Sequence, residues 1–204
     1  WLTVIGASSA GKSQLIRPLA KSNTSLFLQI DDLTSNTLIS GNGAAQSLIF
    51  KIVKAGIITM DDLTVLMSKN AEDRNAILGQ LRMIYDGRMT KASGKSGGEG
   101  ITWQGHAGFI AGSTPSIYRF LAEAADMGER FVNYRMKPMN EDAAVDFVMR
   151  SCLSSKQIDE KMKDLYAQYY SYLMPKVKEF HIPIDKETES AIVNIAKAGT
   201  KLRT

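Results

Sequence analysis

Cysteine is almost missing from this 204-residue chain: Cys152 stands alone, so no internal disulfide can form. Nothing in the composition therefore points to an oxidising compartment. No apolar run approaches the roughly 18 residues needed to cross a bilayer, and no signal-peptide pattern is visible, so the chain reads as cytoplasmic with no membrane partner. The two histidines, His106 and His181, have no cysteine or carboxylate at ligand spacing, which argues against a zinc site. An excess of one charge is also lacking. Lys plus Arg number 25 against 21 Asp plus Glu, a net +4 that permits nucleic-acid contact without requiring it.

What is present is ordinary for a globular protein: 44% hydrophobic and 23% charged residues, enough for one α/β domain with a small helical appendage. The chain opens without methionine, inside an apolar run, and reads as part of a longer protein with further domains.

Short apolar runs alternate with helical patterns over residues 1–137, predicting a parallel sheet flanked by helices. The expected strands are Trp1–Ile5, Ser25–Ile30, Ile57–Met60, Ala107–Gly112 and Phe131–Met136. Helices are expected over Lys12–Lys21, Ala44–Ala55, Asn70–Tyr85 and Ser116–Ala125. Arg88–Lys91 and Ile101–Trp103 flank a Gly-, Ser- and Lys-rich stretch and read as a long hairpin or a mobile loop. After Pro138 only helical patterns remain (140–151, 155–173 and 185–201), with Asn140 and Asp185 as N-caps. Residues 138–204 thus read as a small helical subdomain. Its tyrosines at 166, 169, 170 and 172 read as a packing face or an inter-subunit contact.

The strongest chemical signal is Gly6-Ala7-Ser8-Ser9-Ala10-Gly11-Lys12-Ser13, a full match to G-x-x-x-x-G-K-[ST] between an expected strand and an expected helix. Such a loop wraps phosphates with backbone N–H groups, and the helix N-terminus adds a favourable dipole. Gly6, Ser8, Ser9, Ala10, Gly11, Lys12, Ser13 and Gln14 are the expected nucleotide contacts. Lys12 would pair with the β- and γ-phosphates, and Ser13 would ligate Mg²⁺. The expected cofactors are ATP and Mg²⁺.

The loop needs a carboxylate on a neighbouring strand. Ile57–Met60 ends in Asp61-Asp62: Asp61 reads as the metal-side acid, and Asp62 as the residue that polarises the attacking water. The register could shift by one. Alternatively, the pair simply caps the next helix. Asp31-Asp32 is a rival pair whose setting favours a structural or partner-facing role.

With these parts in this order, the chain resembles the AAA+ ATPases. It is most similar to the clade with a β-hairpin before sensor 1, which includes minichromosome maintenance helicases and bacterial enhancer-binding proteins. The resemblance implies a three-layer P-loop NTPase core at 1–137 and a helical lid at 138–204. It further implies a ring, expected to be a hexamer, with ATP between subunits. Thr114, in Gly108–Pro115, matches sensor 1, with Ser113 behind it. Arg130, in Gly128-Glu129-Arg130-Phe131, matches the arginine finger that reaches a neighbouring subunit's nucleotide, with Arg135 second. Arg203 matches sensor 2, with Lys201 competing. In ring-shaped relatives the hairpin grips nucleic acid, which assigns Arg88, Lys91, Lys95 and Trp103 to DNA contact; a solvated or protein-gripping loop, with Trp103 in the core, accounts for the same residues. The resulting expectation is a DNA helicase or translocase in replication of a phage or mobile element. The alternatives are a helicase loader or a protein-remodelling, regulatory ATPase. A small-molecule kinase ranks last, because residues 138–204 carry only Arg150 and Arg203 as arginines.

Overall fold

A computed structural model describes residues 1–40, 47–52, 56–92, 100–120, 130–137, 140–177 and 190. The chain divides into two compact units, Trp1–Ala167 and Gln168–Thr204.

The first unit is built on a five-stranded, wholly parallel sheet. Its strands are β1 (Leu2–Ile5), β2 (Phe27–Ile30), β3 (Ile57–Met60), β6 (Gly108–Ser113) and β7 (Val132–Arg135), in the spatial order β2-β3-β6-β1-β7. Each is only four to six residues long. The three central strands are largely buried, as expected where helices flank a parallel sheet. Helices α1 (Lys12–Ser22), α2 (Leu63–Met67) and α3 (Ala71–Tyr85) belong to the same unit. Asn70 caps α3 by accepting from the Asp73 N–H at 2.9 Å, and Glu72 and Asp73 complement the helix dipole in the first turn.

The core sits where Ile77, Leu81 and Ile84 of α3 meet Ile58 and Met60 of β3 and Phe109 of β6, all fully buried. Phe109 also meets the rings of Trp1 and Phe131 at centroid distances of 5.3 and 5.9 Å. Trp1 donates its indole N–H to the Ala107 carbonyl at 2.8 Å, which locks the start of β1 beside β6. Strands β4 (Arg88–Ala92) and β5 (Gly100–Gln104) form a separate antiparallel hairpin, registered Arg88 to Gln104 and Lys91 to Ile101.

Two expected helices differ. Instead of an α-helix over Ala44–Ala55, the described residues hold a 3₁₀ turn, Leu48–Lys51. The N–H groups of Leu48 and Ile49 bond to the Thr37 and Leu38 carbonyls, and the Ser40 N–H bonds to the Ser47 hydroxyl. These tertiary partners replace the i→i−4 ladder. The segment from Ser116 likewise begins as a 3₁₀ turn, Pro115–Phe120. The gap expected at 152–154 is absent: α4 (Glu141–Val177) runs through it, since no glycine or proline stands there. Tyr169 and Tyr172 of α4 are exposed, at 56% and 62%. Their ring contacts within the second unit are Tyr169 with Tyr170, and Lys176 over Tyr172 at 3.7 Å. No described helix is long and apolar enough to cross a membrane.

Candidate functional site

In a parallel sheet, ligand sites form outside the carboxyl ends of the strands, where crossovers diverge. Here that edge is aligned by register. Ile5 pairs with Ser113, Met60 with Ala111 and Ile30 with Met60, so Gly6, Ser113, Asp61 and Asp31 leave the sheet side by side. Strand β6 stands between the strand that feeds the glycine-rich loop and the strand that ends in acids.

The loop leaves β1 at Gly6, whose N–H donates to the Ser113 carbonyl at 3.1 Å. It turns at Ala7–Ala10, where the Ala10 N–H bonds to the Ala7 carbonyl, and enters α1 through Gly11. Gly11 has φ 85°, which glycine adopts without steric cost, and Ser9 is the one described non-glycine residue at positive φ, 62°. Left-handed backbone at a non-glycine residue costs about 1–2 kcal/mol and is characteristic of functional loops. Helix α1 has no side-chain N-cap, so its leading N–H groups are open to an anion. Ala7, Ser8 and Ser9 are exposed, Ser13 and Gln14 partly so.

Lys12 is buried, 9% exposed, and its ammonium folds back to donate to the Gly6 carbonyl at 3.0 Å and the Ala7 carbonyl at 2.7 Å. A buried ammonium must have acceptors. These two carbonyls supply them and hold the loop curled around the point where an anion would sit.

Asp61 is held on the same edge by a close approach. A Cβ on Gly112 would meet the Asp61 carbonyl oxygen at 2.3 Å, so only glycine lets β6 pass this turn. Asp61 Oδ2 accepts from Arg17 Nε of α1, while Oδ1 is buried without a hydrogen-bond partner. Asp62 accepts from the Thr64 N–H at 2.9 Å and caps α2, so the capping alternative describes one of its carboxylate oxygens. The Thr64 hydroxyl lies 3.2 Å from the Ser113 hydroxyl and 3.5 Å from that of Thr114, which in turn meets Ser116 at 2.5 Å. A chain of four hydroxyls therefore joins the acidic turn to the end of β6. Asp32 pairs with Lys69 at 2.9 Å, and this bond holds its carboxyl below the usual carboxylate range. That gives Asp32 of the rival pair a structural task.

Arg130 and the hairpin residues lie apart from this edge, whereas Arg135 reaches it. Arg130 precedes β7, and the Val132 N–H bonds to the Trp1 carbonyl, so Arg130 stands at the amino end of the sheet. Four residues of strand place it roughly 13 Å or more from the loop. Its guanidinium pairs with Asp86 at 3.2 and 3.4 Å and lies over the Tyr85 ring at 5.3 Å. Arg135 ends β7 beside Ile5, stacked over Tyr118 at 4.9 Å.

In the hairpin, Arg88 is exposed, but Lys91 donates to Asn36 at 2.9 Å and to the Ile39 carbonyl at 3.2 Å. Trp103 is 5% exposed and belongs to the apolar core, so in this conformation its face offers no platform to a base. Lys95, Lys201 and Arg203 lie outside the described residues.

Arg17 and Thr64 belong to no motif, yet both stand at this edge. Arg17 follows Ser13 by four residues, which puts both on one face of α1, and Thr64 follows Asp62 by two. Each spacing was visible, but the partner across the sheet was not.

No protein-family model matches the chain, and no curated protein matches it in sequence.

Proposed function

We propose that the chain is the ATPase core of a ring-forming AAA+ motor that acts on DNA. The observation that carries this reading is the Gly6–Ser13 loop facing Asp61 across the end of β6. The residues suit ATP and Mg²⁺. The loop offers uncapped N–H groups and an ammonium resting on carbonyls, and Asp61 keeps one buried oxygen without a partner. Among the described residues no three His, Cys, Asp or Glu side chains converge on one point. That favours Mg²⁺ arriving with a nucleotide, because this ion takes one or two carboxylates together with phosphate oxygens and waters.

In this reading the N–H groups of Ser8 to Ser13 and the Lys12 ammonium bind the phosphates, and Ser13 and Asp61 hold the metal. The bound cation would neutralise charge building on the transferred phosphate. Asp62, through the oxygen not used for capping, and Thr114 orient the attacking water. Arg130 is too far from its own loop to serve it and completes a neighbouring subunit's site, which makes the ring, taken as a hexamer, a requirement for turnover. Residues 138–204 are taken as the lid, and Arg203, which lies outside the described residues, as its candidate nucleotide contact. DNA contact through Arg88, Lys91 and Lys95 couples turnover to translocation, in a helicase replicating a phage or mobile element.

A second reading, a helicase loader or protein-remodelling ATPase, gains weight from one observation: Lys91 and Trp103 are already engaged within the chain. Steady-state hydrolysis with and without single-stranded DNA at moderate salt separates the two. DNA-stimulated turnover supports the helicase, and turnover indifferent to DNA supports the loader or remodelling ATPase.

A further inference from the structure

We infer that Arg17 is a resident counter-ion of Asp61 that competes with the divalent cation for this carboxylate and sets the Mg²⁺ concentration at which nucleotide binds. The inference rests on the proposed nucleotide site and extends it to a residue outside the G-x-x-x-x-G-K-[ST] motif.

Three observations support it. Arg17 Nε already occupies Asp61 Oδ2, whereas Oδ1 has no partner, so the Ser13 hydroxyl does not reach it. The carboxylate is thus engaged by a residue four positions along α1 from Ser13, with which it would share a metal. The two partners are also unequally fixed. The Asp61 side chain is 13% exposed and springs from a backbone held by the tight Gly112 passage, whereas the Arg17 side chain is 55% exposed on a long stem. Only the arginine can withdraw into water cheaply. Finally, a guanidinium at this carboxylate repels any cation approaching it. A Mg²⁺ ion carried on a nucleotide gains phosphate oxygens besides this carboxylate, and so can displace the arginine. Arg17 accordingly neutralises the acid when no nucleotide is bound.

The test titrates Mg²⁺ from a chelated start against a fluorescent ATP analogue, using the whole chain and reading binding rather than turnover. Wild type is compared with Arg17→Lys, Arg17→Gln and Arg17→Glu. A counter-ion predicts that the midpoint follows charge: near wild type for lysine, about three- to tenfold lower for glutamine, and lower again for glutamate. Melting curves establish that each variant is folded, and the lysine and glutamate variants decide the case if glutamine is poorly tolerated. A midpoint that is unchanged, or raised, on losing the positive charge overturns the inference while leaving the nucleotide site intact. Failure of the wild type to bind the analogue at any Mg²⁺ concentration overturns both.

Discussion

Replacing Gly112 with alanine tests whether the passage of β6 beside the acidic turn positions the site. The added Cβ would lie 2.3 Å from the Asp61 carbonyl oxygen, 3.3 Å from its carbonyl carbon and 3.3 Å from Ile16 Cδ1. Comfortable non-bonded contact lies near ~3.5 Å, so β3 and β6 must part by about 1 Å at their carboxyl ends. The obstruction is backbone, so no rotamer change relieves it. Overpacking of this kind costs about 1–3 kcal/mol. In a chain of this size that lowers Tm by roughly 2–4 °C per kcal/mol, or about 4–8 °C for 2 kcal/mol. Displacing Asp61 by about 1 Å is expected to reduce turnover on the order of 10²-fold.

The control lies in α3, where a Cβ on Gly79 meets nothing within 4 Å. Gly79→Ala should stabilise by about 0.5–1 kcal/mol, because alanine is the better residue inside a helix. Both proteins would be followed by thermal melting and by hydrolysis. Wild-type Tm and turnover in Gly112→Ala would refute the claim that this glycine holds the acid in place.

Two further outcomes follow from the ion pairs. Arg130→Ala should leave nucleotide binding nearly unchanged and reduce turnover by about 10³-fold or more. Mixing it with Lys12→Ala subunits should restore part of the activity, and failure to complement would argue against an arginine acting in trans. Asp32, whose carboxyl is held low by Lys69, contributes stability that is present above the ordinary carboxylate value and lost as pH falls through its lowered one. The carboxylate is half-exposed, so the Tm deficit of Asp32→Asn at neutral pH should correspond to less than ~1 kcal/mol. That deficit should vanish in acid, and a deficit independent of pH would exclude the ion pair as its cause.

The sheet was largely legible in the sequence because four of its five parallel strands are short, mostly apolar runs, and the glycine-rich loop marks which strand carries the site. Helix α3 was legible through its apolar face, Ile77, Leu78, Leu81 and Ile84. What stayed hidden depends on partners distant in sequence. The segment at 47–52 has helical spacing, yet Thr37 and Leu38 claim its N–H groups. Lys91 reads as a free cation in a glycine-rich setting until Asn36, 55 residues away, is brought against it. Trp103 looks like a stacking aromatic until the hairpin turns it into the core. The acidic pair was located, and the Asp62 cap on Thr64 is local enough to be foreseen, but the Arg17 pair emerges only when β3 and α1 are set side by side.

The central claim is that the Gly6–Ser13 loop binds and turns over ATP. Its most direct test is the hydrolysis of ATP by wild type and by Lys12→Ala, with melting curves to show that the variant is folded. Magnesium-dependent turnover by wild type, abolished in Lys12→Ala, is the predicted result. Equal turnover by the two proteins, or none by the folded wild type when assembled at high concentration with DNA, would contradict it.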